Sequence, residues 1–245
     1  MNRIWKKLKE LRGCVPIIKN TKEPVKSSQQ DYVEIDEYIK NYLESLVELN
    51  INFDKKTRLK NYVDFFADNF FYDYNYRKEI LQNHSTRIKT PKQALFDTLS
   101  QRKGLCTGFS NALSLLSYLD GQKTGDFFQI KVASLAICLK KDLTTYGHAI
   151  NVFEDENKHD AIIDISCMIH CKEKELEGNK DDFFCKSLSQ YKKALGNAGV
   201  EMRNTPKYKI NFIYWEDNFY DRLARIDDVE PIFEKTIPVR DFSDN

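Results

Sequence analysis

The sequence predicts an α+β fold, with helices first and an antiparallel sheet after them. Three observations carry this expectation. From Asp31 to Leu119 apolar residues recur at helical spacing. Beyond Gly121 and Gly125 the pattern turns strand-like. The strand-like runs then follow one another without the regular strand–helix alternation of a parallel α/β protein.

The elements follow in order. Between Asp31 and about Asn50, residues Tyr32, Ile35, Tyr38, Ile39, Tyr42, Leu43, Leu46 and Leu49 form one apolar stripe. A second helix is expected from Asp54, a suitable N-cap, to about Phe71, with Leu59, Tyr62, Val63, Phe66 and Phe70 inward. The polar and aromatic stretch 72–88 reads as loop. Thr90-Pro91 opens a third helix, since proline suits the first helical position, and this helix breaks before Gly104. A fourth starts at Cys106. Its Phe109, Ala112, Leu113, Leu115, Leu116 and Leu119 are too many for one face, so it should be buried on most sides. Strands are expected at 128–139, 147–153, 161–165 and 208–214, with a hairpin loop at 155–158. The region 167–199 is mixed and has room for one or two helices.

Composition bounds the function. The chain has 245 residues, 41% hydrophobic and 13% aromatic, which is enough for a core and rules out wholesale disorder. Lys plus Arg number 38 against 37 Asp plus Glu, so a dedicated nucleic-acid binder with its basic excess is not expected. The longest apolar run, 132–139, falls short of the ~18 residues that span a bilayer. The start MNRIWKKLKELRG lacks the apolar stretch of a secretory leader. The six cysteines are therefore expected as free thiols in a reducing, cytoplasmic setting. Residues 1–30 carry eight basic side chains against Glu10 and Glu23, and read as a basic segment and linker ahead of one domain, 31–245. Ile4, Trp5, Leu8 and Leu11 give that segment an amphipathic helix. Packing on the body by Trp5 is favoured over weak contact with an anionic membrane surface. From Glu216 the tail is acidic. The oligomeric state is not legible.

Three segments carry chemistry. In Lys103-Gly104-Leu105-Cys106-Thr107-Gly108 a thiol opens a buried helix, whose N-terminus favours the thiolate. In Tyr146-Gly147-His148-Ala149-Ile150-Asn151-Val152 an imidazole opens an apolar strand, and in Ala161-Ile162-Ile163-Asp164-Ile165-Ser166 a carboxylate ends the next. If those strands pair across the 155–158 turn, the midpoint of 148 and 164 falls at 156. His148 and Asp164 then share a face as cross-strand neighbours. A carboxylate so placed orients an imidazole, which takes the proton of Cys106. The Cys106 backbone N–H is one oxyanion donor, and Gln101 a weaker candidate for a second.

These residues resemble the transglutaminase-like superfamily. Gly104-Leu105-Cys106-Thr107-Gly108-Phe109-Ser110, His148-Ala149-Ile150-Asn151 and Ile163-Asp164 look like its three core motifs, and Phe71-Tyr72-Asp73 is similar to a tyrosine-aspartate pair frequent in bacterial members. The resemblance covers residues 54–167. It implies a papain-like core in which the cysteine helix packs on an antiparallel sheet bearing His and Asp. It also implies Cys106 as nucleophile, His148 as general base and acid, and Asp164 as orienting carboxylate. The implied activity is on peptide or amide bonds of a protein or peptide substrate, through an acyl-thioester. A cysteine protease or amidase is expected. An acyl transferase on the same triad and an inactive scaffold are the alternatives. Thr107, Ile150 and Ile165 stand where cross-linking members usually carry Trp, Trp and Pro. That weakens a cross-linking enzyme and leaves the triad intact.

No cofactor is expected, and no metal. The nearest rival for the thiols is zinc on Cys167, His170, Cys171 and Cys185, whose spacing matches no common zinc motif. The run Phe65, Phe66, Phe70, Phe71, Tyr72, Tyr74 and Tyr76 is read first as core, and second as a substrate groove.

Overall fold

The computed structural model describes residues 29–82, 91–127, 130–140, 143, 145–154, 159–203 and 207–209. Residues 1–28 of the expected basic segment, the 155–158 hairpin loop, residues 210–214 of the last expected strand and the acidic tail lie outside these residues. The chain order is α1 (Gln29–Asn50), α2 (Lys55–Asn69), β1 (Phe71–Tyr72), α3 (Tyr74–Gln82), α4 (Pro91–Gln101), β2 (Lys103–Gly104) and α5 (Cys106–Thr124). The sheet strands follow: β3 (Lys131–Leu139), β4 (Thr145–Glu154) and β5 (Asp160–Ile163). Next come α6 (Ile165–Lys172), a 3₁₀ turn (Lys180–Phe183), α7 (Leu188–Asn197), β6 (Val200–Met202) and β7 (Lys207–Lys209). This is the expected α+β arrangement. Among the described residues no helix is long and apolar enough to cross a membrane.

The sheet is antiparallel in the order β5–β4–β3–β6, with β7 also on β3. Helix α5 runs through the core. Phe109, Ala112, Leu113, Leu115, Leu116 and Leu119 are all buried, on more than one side of the helix. At ~1.5–3 kcal/mol for each large side chain taken from water, this helix is a principal source of stability. Asn151 of β4 donates from Nδ2 to the Ser110 carbonyl at 2.9 Å, which ties the sheet to the first turns of α5.

Several expectations need correction. The stretch expected as loop holds α3. Asp73 starts it, accepting from Tyr76 N–H at 3.2 Å, and no α3 residue is buried, so the apolar stripe that would have announced it is missing. Asp54 caps α2 as expected, by accepting from the Thr57 N–H at 3.0 Å. That helix stops at Asn69, because Phe71 and Tyr72 leave it to pair in parallel with Lys103 and Gly104. The third strand ends at Ile163 rather than Ile165, since Asp164 caps α6 through the Cys167 N–H at 2.9 Å. Strand β6 was not anticipated; Gly199, at φ 74°, turns the chain out of α7 into it.

The two glycines flanking Cys106 have a steric reason. A Cβ at Gly104 or at Gly108 would collide with Thr98 Oγ1 of α4. That close approach fixes the start of α5 against its neighbour, and so fixes the cysteine.

Candidate active site

Cys106 is the first residue of α5 and is 8% exposed, against Ala149 of β4 and Val132 of β3. Leu105, the residue before the helix, offers no side-chain cap. The first α5 amides therefore keep their N–H groups available for an anion. The β1–β2 ladder sets Tyr72 opposite Gly104, and Asp73 N–H donates to the Gly104 carbonyl at 2.9 Å. This pins the loop that delivers the thiol.

His148 is 7% exposed and Asp164 is 1% exposed. His148 Nε2 stands 2.7 Å from Asp164 Oδ2. The register that brings them together differs from the expected one. Asn151 pairs with Ile163 and Val152 with Ile162, which shifts the ladder by two residues. Because the shift is even, both side chains stay on one face, and the carboxylate reaches the imidazole diagonally.

Asp164 is held at every acceptor position. Oδ2 takes His148 Nε2–H and, at 2.7 Å, the Tyr191 hydroxyl of α7. Oδ1 takes the Ser166 hydroxyl and the Cys167 N–H, both at 2.9 Å. Burial acts to raise its pKa, but the His148 charge and these donors outweigh it and hold the carboxyl far below the usual range. For His148, burial acts to lower the pKa. The Asp164 charge and hydrogen bond, with the Cys106 thiol, prevail and lift it well above its ordinary value. Burial likewise acts to raise Cys106, while the hydrogen bond and charge of His148 and the Ala149 N–H bring it below the ordinary thiol value. With Asp164 on Nε2, the ring has Nδ1 left for a second partner, and the Cys106 and Cys167 thiols both act on the ring. Both shifts act toward the thiolate–imidazolium pair.

A cleft of about 540 Å³ opens beside His148. Its apolar lining includes Ile137, Leu139 and Val200 of the sheet, its aromatic lining Tyr72, Tyr74 and Tyr146. Tyr72 is buried, and burial first, then the Cys106 charge, pushes its hydroxyl pKa up, so it stays neutral. His170 stacks on Tyr72 with ring centroids 4.2 Å apart. Burial lowers the His170 pKa to about 4, and the ring is neutral at neutral pH. Tyr74 Oη lies 2.6 Å from His170 Nδ1 and donates to Glu173 at 3.0 Å, which satisfies the chain if Nδ1 carries the ring proton.

The remaining sequence candidates fall as follows. Gln101 is exposed at the end of α4 and is not in the cleft wall. The aromatic run divides: Phe65, Phe66 and Phe70 pack edge-to-face in the core, Phe71 is exposed, and Tyr72 and Tyr74 face the cleft. The described residues whose ligand atoms come close enough to hold an ion are His148, Asp164 and Cys167, not the set Cys167, His170, Cys171 and Cys185 that stood as the rival reading. Cys167 is a neighbour that sequence reasoning missed in this role. Burial and the Asp164 charge push its pKa up, opposite to the shift at Cys106. Tyr191 was missed as well. Its spacing with Leu188 and Leu195 is that of a plain core stripe, and nothing in it advertises a hydroxyl aimed at Asp164.

No protein-family model and no curated protein matches the chain. Among solved structures, one described as "Crystal structure of a TGase" aligns with a TM-score of 0.41 and 18% identity, over 67% of this chain. The chain spans 39% of that protein's length.

Proposed function

We propose that the protein is a cysteine-nucleophile hydrolase acting on a peptide or amide bond, with Cys106, His148 and Asp164 as its triad. One observation supports this above the others: the buried His148–Asp164 hydrogen bond of 2.7 Å, on an imidazole whose hydrogen bond and charge lower the Cys106 thiol pKa.

The chemistry follows from the charges. The Cys106 thiolate attacks the carbonyl carbon, and a C–S bond forms as the C=O π pair moves to oxygen. The Cys106 N–H, at an uncapped helix start, faces the developing oxyanion. His148 gives its proton to the leaving nitrogen as the C–N bond breaks, which leaves an acyl-thioester and a neutral imidazole. His148 then takes a proton from water, whose oxygen attacks the thioester. Free acid departs and the thiolate and imidazolium are restored. Asp164 stays ionised throughout and holds the ring with Nδ1 toward sulfur.

The test is the pH dependence of iodoacetamide alkylation at Cys106, located by peptide mass mapping, in the parent and in His148→Ala. A plain thiol titrates near ~8.5. The expected result is fast labelling of Cys106 well below that, lost in His148→Ala. Labelling no faster than at Cys171 and insensitive to His148 overturns the proposal. Product analysis then separates outcomes: free acid marks hydrolysis, and incorporation of a labelled amine marks transfer.

A further inference from the structure

The cleft contains a cation that the triad does not use. Arg77 of α3 is half-buried in the cleft wall. Its guanidinium lies over the Tyr146 ring at 4.1 Å and near the Tyr72 ring at 5.9 Å. Among the described residues it has no carboxylate partner. The buried Arg58 is different: it is matched by Asp120 and Asp126. The Tyr146 ring covers the Arg77 guanidinium on one side and lowers its hydration there. Such a group binds a carboxylate more strongly than an exposed lysine does.

Its place relative to the chemistry is set by β4. Tyr146 and His148 are two residues apart and point to the same face. That spacing is ~7 Å along the strand, about the distance between same-side side chains of an extended peptide. The other charges on the cleft wall are Lys140, Glu175 and Glu177. Both glutamates are exposed and water-screened.

We infer that Arg77 is a specificity-determining residue that receives a substrate carboxylate flanking the scissile bond, so that acidic peptides are the preferred acyl substrates. This rests on the triad reading above, and deepens it by naming the substrate class.

The experiment reads binding without turnover. Fluorescein-labelled Ala-Ala-Glu-Ala-amide, Ala-Ala-Gln-Ala-amide and Ala-Ala-Ala-Ala with a free C-terminus are titrated by anisotropy against Cys106→Ser protein. The titration is repeated with Arg77→Gln and Arg77→Lys added. The Glu peptide is expected to bind roughly tenfold more tightly than the Gln peptide, one charge-assisted hydrogen-bond pair. Arg77→Gln abolishes the preference and Arg77→Lys restores part of it. Preference for the free C-terminus instead assigns the carboxylate to the chain end and still rests on Arg77. Equal binding of all three peptides, absence of binding at millimolar concentration, or a preference that survives Arg77→Gln overturns the inference. The alkylation rate of Cys106 in otherwise unaltered Arg77→Gln protein separates the two readings. A fast rate with no carboxylate preference sinks only Arg77, whereas a slow rate in the parent sinks the triad.

Discussion

Two buried aspartates in this molecule have almost the same surroundings and, on the proposed triad, opposite uses. Asp120 of α5 is 0% exposed. It accepts the Tyr62 hydroxyl at 2.7 Å and the Arg58 fork at 2.9 Å and 3.1 Å. Asp164 accepts the Tyr191 hydroxyl at 2.7 Å and His148 Nε2 at 2.7 Å. Each is a carboxylate with one tyrosine and one cation in the interior. The difference lies in the cation. Arg58 cannot lose its proton, and its remaining donors go to the Phe53 carbonyl, Thr124 and Asp126. Nothing in that cluster is left to react. His148 can lose its proton, and its ring also meets the Cys106 and Cys167 thiols beside an open cleft lined by His148 and Cys167. A buried charge pair is a rivet when its cation is saturated, and a proton-transfer device when its cation keeps an unspent edge.

The strongest way to break the comparison is to neutralise each aspartate. Asp164→Asn should cost about 10³–10⁴ in turnover and remove the low-pH labelling of Cys106, because the ring loses its orientation and its counter-charge. Asp120→Asn should leave Cys106 labelling of folded protein unchanged. If both variants lose labelling alike while folded, the two sites are not separate.

Stability should sort them the other way. Asp120→Ala leaves Arg58 buried without its main partner, at a cost of about 3–5 kcal/mol in denaturant unfolding. Asp164→Ala should cost less, since His148 can shed its charge. Equal losses would show that His148 is locked as a cation.

The pH dependence sharpens this further. Asp164 has a depressed pKa, so its contribution is present above ~3.9, the unfolded carboxylate value, and fades as pH falls toward its folded value. His148 has a raised pKa, so its contribution is complete below ~6.5 and fades as pH rises through its folded value. The stability gap between parent and Asp164→Asn should therefore be widest between about pH 4 and 6.5. It should narrow on both sides. A gap that keeps growing above neutrality contradicts the ion-pair assignment.

The smallest effect compares hydroxyls. Tyr62→Phe and Tyr191→Phe should each cost about 1–2 kcal/mol of stability. Only Tyr191→Phe should also move the pH midpoint of Cys106 labelling.

Legibility in the sequence divided along the same lines. The stripes of α1, α2 and α5 were plain because each buries a repeating apolar face. Cys106, His148 and Asp164 were readable as a group because each interrupts an apolar element with a polar side chain. The even parity of 148 and 164 held although the register moved by two residues, since a face depends on parity and not on the precise partner. What escaped had no local signal. Helix α3 buries nothing and is announced only by the Asp73 cap. Cys167 and Tyr191 look like ordinary core, and Arg77 like ordinary surface. Their roles come from distant segments meeting, which no window of sequence contains.

The Tyr191 bond also bears on biosynthesis. A ribosome releases Cys106 first, then His148, then Asp164, and the Ser187-capped helix carrying Tyr191 only later. Until that helix docks, the carboxylate lacks one of its four donors and the sheet lacks its β6 edge. On the proposed triad, reactivity is then among the last properties the nascent chain acquires, after most of the core that must survive beside it has been made.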